Sequence, residues 1–288
     1  MLSTAGAFVA AAFRVSAPLV AAALGGLVAE LGGLISFGME GFMLVGAFAA
    51  VAAAHAHGTA AGFVAAALAG TVLALLHGAL VIGLGTDQVV TAVALNLFAT
   101  GFTSYANTLL YGLATEPVRV TVPPGWIVYL AYPLVPAVWF LVQRTSWGLA
   151  LRAVGEDPHA AHAAGISVRA HRFAALAVAG ALAGLAGSML SLVAVGQFAE
   201  NISAGRGFIA YSAIVFGRWT PLGTAGGAML FGLAEAIQLS LQALGVTLVP
   251  YQLLVALPYL VTLAVLVVFA GRASWPSASG LFFDPEER

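Results

Sequence analysis

Residues 144–172 read RTSWGLALRAVGEDPHAAHAAGISVRAHR, the one long polar stretch in an otherwise apolar chain. Four of the ten arginines, Arg144, Arg152, Arg169 and Arg172, lie in it. On either side the sequence resolves into hydrophobic segments. Five precede the stretch, at about 15–33, 35–56, 61–84, 87–112 and 127–143. Four follow it, at about 172–195, 205–217, 220–245 and 250–270. Most match the roughly 20 apolar residues that a helix needs to cross about 30 Å of hydrocarbon. Segment 205–217 is too short to cross alone and reads as a half-helix, or as one that borrows residues from 198–204. The runs are continuous and lack the period-two alternation of barrel strands. The expected fold is an all-α integral membrane protein, a single transmembrane domain over residues 1–288 with about 8–10 helices. An excess of arginine in a loop marks the cytoplasmic side, so 144–172 faces the cytoplasm. By parity the tail with Arg272 and Arg288 lies on the same side, and the N-terminus lies outside. The Pro-rich connection 113–125 (LATEPVRVTVPPG) also faces outward.

Composition excludes several classes of function. Only 7% of the residues are charged, against about a quarter in a soluble domain, while 61% are hydrophobic and mean hydropathy is +1.02. All ten basic residues are arginine. A phosphate-binding loop of the Walker type needs a lysine on the β/γ-phosphates, so this chain is not itself a P-loop ATPase, and any nucleotide energy must enter through a partner. The absence of cysteine removes disulfides, thiolate metal sites and cysteine nucleophiles together. A net charge of −1 without a basic patch gives nothing to bind nucleic acid. Arg14 precedes an apolar run with no soluble domain after it, so the first segment is expected to stay as a span instead of being cleaved as a signal. His55 and His57 are expected in a loop, and His77 stands alone. His159 and His162 have the i, i+3 spacing that can ligate metal, but no third ligand is nearby, so no metal is expected. No G-x-S-x-G, H-E-x-x-H or carboxylate pair marks an enzyme.

Two motifs carry positive information. The first is Gly155–Ile166, GEDPHAAHAAGI, within the cytoplasmic loop. Asp157 is a good N-cap, Pro158 suits the first helical turn, and Gly165 ends the helix. A short capped helix exposed between two spans is shaped to dock in the groove of a soluble partner; its bland reading is a solvated connector. The second is an internal likeness. Ile35-Ser36-Phe37-Gly38-Met39-Glu40-Gly41-Phe42 matches Ile202-Ser203-Ala204-Gly205-Arg206-Gly207-Phe208 with one gap. Both follow a Gly/Ala-rich span, and parity sets them in opposite orientations. Gly-interrupted segments at corresponding places in two halves point to inverted repeats with the substrate path between them.

The segments LGGLISFGMEGFMLVGAFAA, TDQVVTAVALNLFATGFTS, LRAVGEDPHAAHAAGISVRAHR and GRGFIAYSAIVFGRWTPLGTAGGAMLFGLAEAIQ resemble the permeases of ABC importers for simple sugars and nucleosides, a group related to the ribose and branched-chain amino acid permeases. The resemblance spans roughly 15–270. It implies a type II importer transmembrane domain in the bacterial plasma (inner) membrane, supplying half of the pathway. It also implies a second, longer permease subunit, an ATP-binding subunit that carries ATP and Mg, and an extracytoplasmic substrate-binding protein. Residues Glu156, Asp157, Pro158, Ala161 and Gly165 would form the coupling helix on the ATPase. Purine nucleosides are the first substrate expected. One departure is Phe37, where the family's Ile-Gly-x-Glu-Gly context carries Asn. Branched-chain amino acids are the alternative cargo, and an ion-coupled secondary transporter using Glu40 and Glu235 is the alternative mechanism.

Ionisable and amide groups within spans are functional candidates. Ser36, Met39, Glu40, Asn96, Phe198, Asn201 and Ser203 are the residues expected along the substrate pathway. Glu40 either bonds a ribose hydroxyl or caps its own helix and pairs with Arg206 in the matched repeat. Asn96 either joins helices or reads substrate. Asp87-Gln88 reads as an N-cap at a cytoplasmic turn. Glu235 and Gln238 share a helix face, toward the pathway or the sister subunit.

Overall fold

A computed structural model describes residues 2–112, 118–243 and 275–284, so the expected span 250–270 lies outside the described residues. Ten helices follow one another there: α1 (Leu2–Glu30), α2 (Met39–His57), α3 (Thr59–Gly78), α4 (Gln88–Tyr111), α5 (Leu134–Arg144), α6 (Ser146–Glu156), α7 (Pro158–Ala163), α8 (Val168–Ser188), α9 (Arg206–Phe216) and α10 (Pro221–Ala243). A 3₁₀ turn, Ser36–Gly38, leads into α2, another, Gly125–Ala131, precedes α5, and π-helical stretches extend α3 to Gly83 and α8 to Val195. Seven of these segments are long and apolar enough to cross a membrane, and Arg206–Phe216 is shorter, as a half-helix should be. Residues 198–204 do not lengthen it; none of them is helical, and 200–204 run in turns.

Inverted repeats are visible in the packing. α1 and α8 lie against each other at the centre. Each begins one half, followed by a helix that starts after an irregular turn (α2, α9) and then by a third helix (α3, α10). The third helix of each half packs on the first helix of the other, α3 on α8 and α10 on α1. Lipid gives helices no hydrophobic reason to associate, so close packing by small residues must hold the bundle. At Gly184 of α8 a Cβ would stand 2.1 Å from the Ala66 carbonyl oxygen of α3. At Gly46 of α2 it would stand 2.4 Å from the Gly184 Cα, so three helices meet backbone to backbone there.

The polar stretch folds more fully than its sequence suggests. Thr145 accepts a bond from the Gly148 N–H at 3.0 Å and starts α6, a helix not foreseen within the loop. α8 begins at Val168 with Ser167 as its cap, so Arg172 lies inside a helix and is buried instead of solvated. His55 and His57 are likewise not in a loop but in the last turn of α2. The polar stretch 144–172 sits at the C-terminal end of α1, where the Arg172 Nε donates to the Gly32 carbonyl at 3.1 Å. At the opposite end Val120 donates to the Gly196 carbonyl at 2.9 Å, pairing the Pro-rich connection with the stretch that follows α8. The two loops expected on opposite faces of the membrane thus lie at opposite ends of α1.

Candidate functional site

Both interrupted helices begin within the bundle, and each start is capped by a side chain from another element. The Asn96 Oδ1 of α4 accepts from the Gly41 N–H at 2.9 Å, while its Nδ2 donates to the Phe37 carbonyl at 2.9 Å. The Glu40 carboxylate caps α9: Oε1 accepts from the Gly205 N–H at 2.8 Å and Oε2 from the Gly207 N–H at 2.7 Å. A helix start leaves four N–H groups without internal partners, and in hydrocarbon no water can take them. A carboxylate at an N-terminus also meets the positive end of the helix dipole. Glu40 thus caps the helix of the matched repeat, not its own. Gly207 has to be glycine here, because a Cβ would stand 2.4 Å from the Glu40 nitrogen. From this seam α2 runs toward the end that holds the Pro-rich connection, its His55 ring ending 5.9 Å from Tyr111, and α9 runs the opposite way toward Glu30.

Arg206 does not pair with Glu40 as expected; its ion pair is with Glu235 of α10. The reason is geometric, since both Glu40 oxygens are already taken by backbone donors of α9. Glu30, which the sequence reading overlooked, is a second joint between the halves. Its buried carboxylate accepts from the Ser36 N–H at 2.8 Å and from the Trp219 Nε1–H at 3.1 Å. An acidic residue at the end of an apolar run, followed by a glycine pair, was the available signal. Phe37 meets Tyr211 edge-on at 4.5 Å, so an aromatic contact stands where the family pattern has an amide.

The other expected pathway residues scatter. Ser36 donates its hydroxyl to the Gly26 carbonyl at 2.9 Å, and Met39 is fully buried beside it. Phe198 is buried edge-on against Phe48 at 5.4 Å. Asn201 is exposed with φ 54°, and Ser203 is buried with no partner for its hydroxyl among the described residues. Ser36, Met39, Glu40, Asn96 and Ser203 therefore gather near the seam, while Phe198 and Asn201 lie on its outer approach. Asp87 caps α4 through the Val90 N–H at 2.8 Å, and Gln88 accepts from the Ile35 N–H at 2.8 Å.

The docking helix takes the form its sequence implies. The Asp157 Oδ1 accepts from the Ala160 N–H at 2.9 Å, Pro158 opens α7, and Gly165 ends it at φ 83° with Ile166 N–H bonded to the Ala161 carbonyl at 3.0 Å. The tail 275–284 folds back under it. Ala278 N–H donates to the Gly155 carbonyl at 2.9 Å, Gly280 N–H to the Gly33 carbonyl at 3.1 Å, and Arg172 Nη1 to the Leu281 carbonyl at 3.1 Å. Phe283 is buried between His159 and His162, with ring centroids 5.1 and 5.6 Å away.

Residues 8–270 match the model of the branched-chain amino acid transport system / permease component family. The chain belongs to this family. It is 34% identical over 299 residues to the guanosine ABC transporter permease protein NupQ of Bacillus subtilis (strain 168), covering 92% of each chain. It is 31% identical to the nucleoside ABC transporter permease protein NupC of Lactococcus lactis, over 92% of this chain and 93% of that one. It is 33% identical to the putative glucose ABC transporter permease protein TsgC13 of Haloferax volcanii, over 92% of each. No solved structure matches. The protein is an ABC permease, a multi-pass transport subunit of the inner membrane and not an enzyme in its own right. A second guanosine ABC transporter permease protein of Bacillus subtilis, NupP, and a second nucleoside ABC transporter permease protein of Lactococcus lactis, NupB, also resemble this chain, which supports a second permease beside it.

Proposed function

We propose that this permease forms half of the membrane path of an ATP-driven importer of nucleosides, purine nucleosides first. The observation that carries the reading is end-to-end similarity to guanosine and nucleoside permeases, at 34% and 31% identity. Its partner is a second, longer permease of the NupP kind, whose match takes in 78% of this chain but 72% of NupP itself. An ATP-binding subunit holding ATP and Mg sits beneath, with α7 in its groove; of the residues expected there Glu156, Asp157 and Gly165 are exposed to reach it, whereas Pro158 and Ala161 are buried and hold the helix in shape. An extracytoplasmic binding protein delivers substrate, so the path between the repeats needs only weak contacts. Ser36, Met39, Glu40, Asn96, Phe198, Asn201 and Ser203 are its residues, the seam members by shaping it. Sugars are the second reading, favoured by the 33% identity to a glucose permease.

The test is uptake into proteoliposomes holding the complete importer and its binding protein. ATP-dependent uptake of guanosine or adenosine is expected; uptake of glucose alone overturns the nucleoside reading. Ala163→Glu sets a charge on the exposed face of α7 and should abolish substrate-stimulated ATP hydrolysis and uptake together. Normal uptake by an assembled variant would remove α7 from the coupling role.

A further inference from the structure

One cavity collects the charged groups that the capping network leaves over. About 330 Å³ in volume, it lies between the N-terminal half of α1, the 125–131 turn, the π-helical end of α8, and α10. Arg14, Arg206 and Glu235 supply its charges, and Pro18, Met189 and Val193 are among its apolar walls. The volume falls at the lower end of the range for small-molecule sites. Arg14 stands about 24 Å along α1 from Glu30, so the cavity occupies the outer half of the fold, where an externally delivered substrate arrives. Arg206 is the first residue of the discontinuous helix at the junction of the repeats, the place where transporters of this construction bind substrate.

The polar inventory is specific. Arg206 gives Nη1 to the Ile202 and Ser203 carbonyls at 3.4 Å and Nη2 to the Glu235 Oε1. Its Nε–H, and the Oε2 of Glu235, have no bond to other described residues. Arg14 is exposed and has no partner among the described residues. Pro18 lacks an N–H, so the Arg14 carbonyl four residues earlier loses its helical donor and adds an open acceptor at the same level. Charged side chains inside a bilayer are costly and mark sites of function, and π-helical insertions such as 189–195 recur at such sites.

We propose that this cavity is the base-reading site of the pathway and takes the lactam edge of a 6-oxopurine nucleoside. This rests on the nucleoside reading above. A cationic donor and an anionic acceptor held side by side are the complement of a carbonyl adjoining a ring N–H. Arg206 donates to the carbonyl oxygen, as guanidinium groups do to the guanine edge. The free Glu235 oxygen accepts from the ring N–H and, in guanine, the exocyclic amine. Arg14 and its freed carbonyl face the sugar hydroxyls, and the apolar walls take the ring faces. Adenine presents the reverse order, an amine donor at C6 beside a ring-nitrogen acceptor, so in the same pose it sets a donor against Arg206 and a lone pair against Glu235.

The experiment is photolabelling of the assembled importer with 8-azidoguanosine, followed by peptide mapping and competition. Label is expected on 189–194 or 235–239, displaced by guanosine and inosine at least tenfold more effectively than by adenosine. Glu235→Gln should remove that preference. Because breaking an ion pair can disturb assembly, Val193→Phe is the second variant: it fills the cavity without touching Arg206 or Glu235, and should suppress both label and turnover about tenfold in an assembled complex. Label on other segments, or equal displacement by adenosine, overturns the inference while leaving a nucleoside importer standing. An importer that carries no nucleoside overturns both.

Discussion

Glu40 shows how one carboxylate can hold two halves of a membrane protein together. Both of its oxygens are used by backbone donors of α9, so removal leaves two N–H groups unpaired in a water-poor bundle. Each buried unpaired donor costs about 1–3 kcal/mol. Glu40→Ala is therefore expected to lower thermal stability in nanodiscs well below that of Glu40→Gln, which keeps one acceptor. Equal melting of the two variants would show that the cap is not what stabilises α9. Asn96→Ala loses one accepted and one donated bond at the start of α2. A hydrogen bond of about 0.5–1.5 kcal/mol corresponds to roughly two- to tenfold in rate if it acts in the limiting step. With affinity assigned to the proposed delivery protein, uptake should slow by that factor with little change in apparent affinity; a mainly KM effect would contradict this. That Glu40 and Asn96 matter was legible, since a charge and an amide stand out in apolar runs. Their partners were not. Which carbonyl or N–H lies opposite depends on how helices far apart in sequence are stacked, and the guess of an Arg206–Glu40 pair failed for that reason.

At the scale of helices, composition was a reliable guide because lipid is the solvent. Every hydrophobic segment through 220–245 became a helix or part of one, and the short 205–217 became the half-helix α9. Two boundaries moved at caps: Ser167 drew the start of α8 back to Val168, and Thr145 started a helix inside the loop, while α1 begins at Leu2, well before 15. Packing partners were the illegible part, since a Gly/Ala-rich helix offers small residues on several faces. The structure shows which glycines matter. Gly184 faces the Ala66 carbonyl at 2.1 Å from an ideal Cβ, whereas Gly226 has nothing within 4 Å. Overpacking by even one methyl group costs about 1–3 kcal/mol, and more when the obstacle is backbone. Gly184→Ala should therefore reduce the yield of folded permease, and Gly226→Ala should leave it unchanged. Size-exclusion profiles of the two variants side by side check this, and equal profiles would mean that α3 and α8 can separate without loss.

Across the whole molecule, the tail joins parts that the repeat architecture leaves apart. Trp275 meets Trp219 at 6.2 Å beside the α9–α10 turn, Phe282 covers Gly85 at the α3–α4 turn, and Phe283 lies under α7. Both repeats and the docking helix thus share one strap, fastened by Arg172 to the end of α1. Nothing in the sequence announced it, because SWPSASGLFF reads as an ordinary polar end with a few aromatics. Fully burying a Phe side chain contributes about 1.5–3 kcal/mol. Phe283→Ala should therefore raise the opening frequency of the tail by roughly ten- to a hundredfold, at about 1.4 kcal/mol per factor of ten. Hydrogen exchange reads this directly, since the Ala278 and Gly280 amides are held by the Gly155 and Gly33 carbonyls. Exchange at these two positions should quicken by that factor while the amides of α8 keep their protection. Unchanged exchange would mean that Arg172 and the backbone bonds hold the strap by themselves, with the Phe283 ring only filling space under α7.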